Sequence, residues 1–248
     1  MIYLCVPARN EERTLGVLLW KLRKVMAEFG RDYEIVVLDD ASTDGTPEVL
    51  ARYEPFLPLR THRSEIQLGY GAALEWLLRD AAERAPYPKR DVIVTLQADF
   101  TEDPASVVPM VKAIEGGADL VAGVPETPLP PGSRSVRFAR WAAPRLLGRA
   151  HRSAPVADPL SGFRAYRVVV VLKALRELDE GEALLRGPGW AANLGLLARA
   201  VPHARRIEEV PFQVRSIPRP RGSRFRSLST LRALLPLRRT SWPAAPGR

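Results

Sequence analysis

The feature that most constrains the fold is a design used three times, in which a short apolar run opens directly into acidic or polar residues ahead of a helix-like stretch. Met1 to Val6 opens into Pro7-Ala8-Arg9-Asn10-Glu11-Glu12. Ile35-Val36-Val37-Leu38 opens into Asp39-Asp40-Ala41-Ser42-Thr43-Asp44-Gly45-Thr46, and Asp91-Val92-Ile93-Val94-Thr95-Leu96 opens into Gln97-Ala98-Asp99. Unbroken apolar runs of this length suit strands covered on both faces, as in a parallel sheet. The carboxyl edge of such a sheet gathers strand ends from distant parts of the chain and is where α/β folds receive nucleotides.

Between these runs the pattern alternates regularly. It predicts strands at 2–6, 34–38, 57–62, 91–96 and 118–123, and helices at 14–29, 46–53, 70–84 and 104–115. That order implies right-handed βαβ crossovers and an α/β fold with a mainly parallel central sheet flanked by helices. Asp44-Gly45 forces a turn before Thr46-Pro47, with Thr46 expected as N-cap and Pro47 at the first helical position. After Gly123 the character changes. Pro125, Pro128, Pro130, Pro131 and Gly132 make a loop, and 134–152 reads as a basic amphipathic helix interrupted at Pro144. Helices at 166–178 and 190–200 and a strand at 207–214 follow. Leu228, Leu231, Leu234 and Leu235 then recur at helical spacing among arginines.

The 248 residues accommodate one large domain, here 1–226, with a basic extension at 227–248 that is partly disordered or lies on a membrane surface. The net charge of +9 is concentrated at the end: from His203 onward Glu208 and Glu209 are the only acids among many arginines. A phosphorylated substrate, an anionic membrane or a nucleic acid would answer such a charge. The basic tail lacks an ordered series of aromatics for base stacking, so nucleic acid ranks last. Cys5 is the only cysteine and lies inside the first strand, as a small buried apolar residue in a reducing compartment. The N-terminus enters its strand without a signal-like segment, and no apolar run approaches the roughly 20 residues that span a bilayer. The expected location is cytoplasmic, with any membrane met from its surface.

The strand ends carry the chemistry. An ionised carboxylate is a fixed hydrogen-bond acceptor, which suits Glu11 and Asp39 to the donors of a base and ribose. Asp99 suits Mg²⁺ or Mn²⁺ held against a diphosphate, and Arg219, Arg221 and Arg224 suit the phosphates themselves.

Five segments, Pro7-Ala8-Arg9-Asn10-Glu11-Glu12, Asp39 to Thr46, Gln97-Ala98-Asp99, Ser161-Gly162-Phe163-Arg164 and Glu209-Val210-Pro211-Phe212, resemble in order the signature segments of family 2 glycosyltransferases. Within that family they are most similar to dolichyl-phosphate mannosyltransferase and related polyprenyl-phosphate glycosyltransferases, and the resemblance covers residues 1–226. It implies a GT-A fold that binds a nucleoside diphosphate sugar, of the GDP-mannose or UDP-glucose type, with a divalent metal and inverts the anomeric centre. It places Pro7, Ala8, Arg9, Glu11 and Asp39 at the nucleotide, Gln97-Ala98-Asp99 on the Asp-x-Asp segment with Asp99 as metal ligand, and Arg219 and Arg224 at the diphosphate. It makes 134–164 the acceptor region, with Asp158, Ser161 and Arg164 in it, and Arg137, Arg140 and Arg164 as a clamp for the phosphate of a polyprenyl acceptor. Gln97 stands where the family has its first Asp, Arg9 where it has an aromatic residue, Val124 in a turn that usually carries an arginine, and Asn193 near a usual glutamate. Those departures support an alternative, a catalytically silent sugar-nucleotide-binding or partner-binding subunit. No oligomeric state is implied.

Overall fold

The computed structural model describes residues 1–126, 134–179, 182–185, 187–214 and 227–242. Seven strands form one sheet: β1 Ile2–Ala8, β2 Tyr33–Asp40, β3 Leu59–Ser64, β4 Val92–Thr95, β5 Leu120–Pro125, β6 Arg164–Arg167 and β7 Ile207–Phe212. Their order across the sheet is β3-β2-β1-β4-β6-β5-β7, and all pairs are parallel except those β6 makes with β4 and β5. The chain winds outward from β1 through β2 to β3 and then returns to place β4 on the other side of β1. The loops after β1 and β4 therefore diverge at a topological switch point, where a crevice opens.

Strand parity sorts the core onto two faces. Leu4, Val6, Ile35, Val37 and Val94 pack beneath α1 (Leu15–Phe29) and α4 (Val107–Glu115). Tyr3, Cys5, Val36, Leu38 and Ile93 pack beneath α3 (Tyr70–Arg84), α7 (Val168–Arg176) and α8 (Gly189–Ala200). A smaller cluster joins α8 to α5 (Arg134–Leu147), α6 (Arg149–Arg152) and α9 (Ser227–Leu234). The described part of the C-terminal extension is thus docked on the body: Leu234 and Thr230 are buried, and the Trp242 indole donates to the Ala150 carbonyl at 2.7 Å.

Several sequence expectations shift. Strand β6 lies outside the elements the pattern predicts, because four residues give no usable alternation and Arg164, Ala165 and Tyr166 are all buried. Helix α7 begins only at Val168, after that strand. Pro144 does not interrupt α5: it forgoes one i→i−4 bond, yet the helix runs on to Leu147 and breaks at Gly148, whose φ of 54° is left-handed. Thr46 is the first residue of α2 (Thr46–Tyr53), not its cap, since its hydroxyl donates to Asp44 Oδ1 and accepts the Glu11 N–H.

Gly123 allows β5 to sit against the strand-entry loop of β6. A Cβ there would fall 2.6 Å from the Phe163 ring and 3.1 Å from its carbonyl oxygen, which accepts the Gly123 N–H at 2.9 Å. Phe163 in turn meets Phe212 edge to face, with ring centroids 5.2 Å apart. Gly123→Ala is expected to destabilise the fold by about 2 kcal/mol through overpacking, measured by urea unfolding. A change below a few tenths would show that the Phe163–Phe212 pair can yield.

Candidate active site

Three non-glycine residues among those described have positive φ: Asn10 at 52°, Ala41 at 52° and Phe100 at 59°. They follow β1, β2 and β4, so left-handed backbone costing about 1 kcal/mol or more each is concentrated at one edge of the sheet. Interlocking turns hold it there. The Asn10 N–H donates to Ser42 Oγ at 2.8 Å and Asn10 Oδ1 accepts the Thr43 N–H at 2.7 Å. Glu12 Oε2 accepts the Gly45 N–H at 2.8 Å, and Glu11 Oε2 accepts the Thr14 hydroxyl at 2.9 Å. Glu12 and Asp44 thereby serve the turns.

Two clefts open along this edge. The first, of ≈ 270 Å³, is lined by Pro7, Ala8, Arg9 and Glu11 from the β1 loop, Gln97, Ala98 and Asp99 from the β4 loop, and Asp40, Gln67, Gly69 and Tyr70 between β2 and α3. The second, of ≈ 350 Å³, is lined by Gln97, Glu102, Arg140, Pro144, His151, Asp158, Ser161, Gly162, Trp190 and Asn193, among others. Gln97 belongs to both walls.

Most residues singled out from the sequence come together here, with three differences. Asp39 is not on the wall of the first cleft; Asp40 is. Successive side chains of a strand point to opposite faces, and Asp39 turns inward, 1% exposed, with Oδ1 accepting the Ser42 N–H at 3.1 Å and Arg63 Nε 3.6 Å from Oδ2. Asp40 accepts the Leu68 and Gly69 N–H groups at 2.5 and 3.0 Å, fixing the turn into α3. Arg164 does not reach the second cleft. It is 1% exposed, and its Nη1 and Nη2 donate to the Asn193 and Pro159 carbonyls at 2.6 and 2.8 Å, so it braces the cleft from beneath. Arg137 is exposed and lies off the cleft wall that Arg140 shares. Arg219, Arg221 and Arg224 lie outside the described residues.

Asp158 reaches the second cleft, while its Oδ1 accepts the Leu160 and Ser161 N–H groups at 2.9 and 3.2 Å and shapes that loop. Glu209 of β7 supports the same segment by accepting the Ala157 N–H. Sequence reasoning missed Tyr70, Glu102, His151 and Trp190 as site residues; none stands in a distinctive local pattern. Burial, then the nearby Glu102 charge, pushes the Tyr70 phenol up, keeping it protonated. Burial likewise raises the Cys5 thiol, which is not a nucleophile.

Asp99 Oδ1 accepts the Thr101 N–H at 3.0 Å, which orients its carboxylate at the first cleft. Among the described residues no three His, Cys, Asp or Glu side chains cluster as metal ligands. Asp99 and the Gln97 amide are hard oxygen donors at one mouth, a set that fits an ion completing its shell with water and diphosphate oxygens.

A third concavity, of ≈ 720 Å³, lies between α5 and α9 and is lined by Trp141, Ala142, Arg145, Leu146, Leu228, Leu231, Arg232 and Leu235. Trp141 is 55% and Leu228 78% exposed, and the Arg145 guanidinium sits 4.3 Å from the Trp141 ring centroid. No helix among the described residues is long and apolar enough to cross a membrane.

The family model for glycosyl transferase family 2 matches residues 3–173, the span from β1 through the cleft loops into α7. The chain belongs to family 2 of the glycosyltransferases. It is 29% identical over 180 residues to an undecaprenyl-phosphate 4-deoxy-4-formamido-L-arabinose transferase of Pseudomonas fluorescens, covering 68% of this chain and 48% of that protein. It is 26% identical over 194 residues to a dodecaprenyl-phosphate galacturonate synthase of Rhizobium johnstonii, covering 77% and 54%. A dolichol-phosphate mannosyltransferase of Pyrococcus furiosus is 27% identical over 179 residues, covering 67% and 46%. The chain thus spans about half the length of these curated relatives. Its fold matches the crystal structure of glucosyl-3-phosphoglycerate synthase from Mycobacterium tuberculosis, solved with Mn²⁺ and UDP, at a TM-score of 0.66 and 23% identity over 99% of this chain and 81% of that one. The family 2 domain therefore has the GT-A architecture.

Proposed function

We propose that this family 2 domain transfers a sugar from a nucleoside diphosphate to the phosphate of a polyprenyl lipid, with inversion at the anomeric carbon. The observation that carries the reading is the pair of clefts meeting at Gln97 on the carboxyl edge of the sheet, since group transfer needs a donor and an acceptor on either side of one reacting carbon. The first cleft is assigned to the donor, with Pro7, Glu11 and Asp40 toward the nucleoside. Asp99 would hold Mg²⁺ or Mn²⁺, which supplies counter-charge to the departing diphosphate. Arg219 and Arg224 are assigned to the same diphosphate.

The second cleft is assigned to the acceptor phosphate, with Arg140 as its cation and Ser161 as a hydroxyl partner. A phosphate monoester has a second pKa of about 6 and is largely ionised near neutrality. Its oxygen forms the new bond to C1 as the bond from C1 to the diphosphate breaks, and the diphosphate leaves with the electron pair. No strong base is required; Asp158 orders the loop that receives the phosphate, and the protein acts by positioning and charge. The names of the polyprenyl-phosphate relatives support this acceptor class.

The groove between α5 and α9 is assigned to the isoprenoid chain at an anionic bilayer, because its apolar floor is flanked by Arg145 and Arg232. The domain would then work at the cytoplasmic face as a peripheral protein. Trp141→Ser with Leu228→Ser is expected to weaken sedimentation with phosphatidylglycerol-containing vesicles by about tenfold or more, because each such side chain contributes roughly 1.5–3 kcal/mol when buried. Undiminished sedimentation would remove the groove from the interface.

The function is tested by thermal shift with GDP-mannose, UDP-glucose and their diphosphates in Mn²⁺, Mg²⁺ or EDTA, followed by transfer of the stabilising donor's sugar to undecaprenyl phosphate. Metal-dependent stabilisation with product supports a transferase and names the base. Gln97 in place of an acid favours a second reading, a sugar-nucleotide-binding subunit, which would show metal-independent stabilisation and no product.

A further inference from the structure

Beneath the wall between the two clefts lies a polar junction to which no role has been assigned. Tyr70, the first residue of α3, lines the first cleft and donates its hydroxyl to Asn193 Oδ1 at 3.0 Å. Asn193, 3% exposed on α8, lines the second cleft and donates Nδ2 to the Leu160 carbonyl at 3.0 Å. Its own carbonyl accepts Arg164 Nη1 at 2.6 Å. Gly162 fills the remaining space: a Cβ there would lie 2.8 Å from the Tyr70 hydroxyl and 2.9 Å from Asn193 Nδ2. The Gly162 carbonyl accepts the Thr95 hydroxyl at 2.6 Å, tying the same loop to the end of β4, two residues before Gln97.

Only an amide satisfies both neighbours of residue 193. The Leu160 carbonyl can only accept, so it requires Nδ2, and the Tyr70 hydroxyl then meets Oδ1. A carboxylate in that place would set oxygen against the Leu160 carbonyl, and an alanine would leave both partners unpaired in a buried site. The side chain therefore joins a residue of the first cleft wall to the backbone of the second by two consecutive hydrogen bonds.

We propose that Tyr70 and Asn193 are positioning residues that hold the 158–164 loop in register with the first cleft, so that the acceptor phosphate is presented to the donor at a fixed separation. The assignment of a donor and an acceptor rests on the function proposed above; the mechanical coupling of the two clefts does not. A buried side chain held at both its amide oxygen and its amide nitrogen, as Asn193 is, favours one low-energy arrangement, which is what a register device needs. Tyr70→Phe and Asn193→Asp each break one link without creating a large cavity.

Amide hydrogen exchange reads the coupling directly. In both variants the Leu160 and Ser161 N–H groups, now held by Asp158 Oδ1 at 2.9 and 3.2 Å, are expected to exchange at least about tenfold faster than in the parent protein. With undecaprenyl phosphate as acceptor, kcat is expected to fall or acceptor KM to rise by about fivefold or more, while the Kd for UDP or GDP stays within about twofold. The double variant should be no worse than the more affected single one. Unchanged exchange at Leu160 and Ser161 overturns the proposal, and faster exchange with unaltered kcat and acceptor KM reduces the junction to packing and overturns it as well. A parent protein that moves no sugar to undecaprenyl phosphate counts against the proposed acceptor instead. The coupling is then decided by exchange alone: UDP or GDP should slow Leu160 and Ser161 in the parent but not in Tyr70→Phe, and equal behaviour of the two, or no increase in exchange in the free variants, overturns it.

Discussion

Replacing Asp99 with alanine is expected to lower sugar transfer by about 10³-fold, corresponding to roughly 4 kcal/mol of lost stabilisation of the departing diphosphate. Asp99 Oδ1 also accepts the Thr101 N–H at 3.0 Å, so the stability of the variant is followed beside its turnover. Two readouts separate the metal role from a general loss of structure. The metal-dependent part of nucleotide stabilisation, measured by thermal shift in Mn²⁺ against EDTA, should vanish, while the melting temperature without ligand stays within a few degrees. Turnover and metal-dependent stabilisation that both survive would remove Asp99 from the metal site. The weight on this residue is large because its family partner position is Gln97, whose amide oxygen is neutral and a poorer ligand than a carboxylate.

Arg164→Leu is expected to destabilise the domain by about 3 kcal/mol, a fall in melting temperature of roughly 10 °C for a chain of this size. The substitution removes two charge-assisted hydrogen bonds and strands the Asn193 and Pro159 carbonyls in a site where the arginine is 1% exposed. Arg140→Leu, on the wall of the second cleft and only partly buried, should instead cost less in melting temperature than Arg164→Leu and raise the acceptor KM. Calorimetry and kinetics on the two variants thus separate the arginine that braces the cleft from the one that faces its ligand. A stable Arg164→Leu protein with a selectively raised acceptor KM would reverse the assignment and return Arg164 to the phosphate.

Much of the architecture is legible in local pattern. The buried runs of β1, β2 and β4 have no alternative partner surface, so their order and intervening helices lead to a mainly parallel sheet. The acids that follow them must gather at its carboxyl edge. Gly148 shows the limit of local rules: it ends α5 four residues beyond the proline expected to interrupt it, because a proline removes one hydrogen bond whereas a residue with positive φ redirects the chain.

The sequence alone determined which residue types stand at which strand ends, that Asp99 follows β4 and that the Ser161 to Arg164 segment comes after them in order, and these suffice to place the domain in its family. The tertiary structure decided which of those side chains face the clefts. Asp39 and Asp40 are equivalent as letters, but strand parity sends one inward to Ser42 and leaves the other on the cleft wall. Arg164 looks like a phosphate clamp until two carbonyls from residues 159 and 193 are brought around it. Tyr70 and Asn193 are separated by 123 positions and meet only because α3 and α8 cover the same face of the sheet. Side-chain direction and long-range contact are set by the packing of whole elements, and a linear string carries neither until the sheet closes around it.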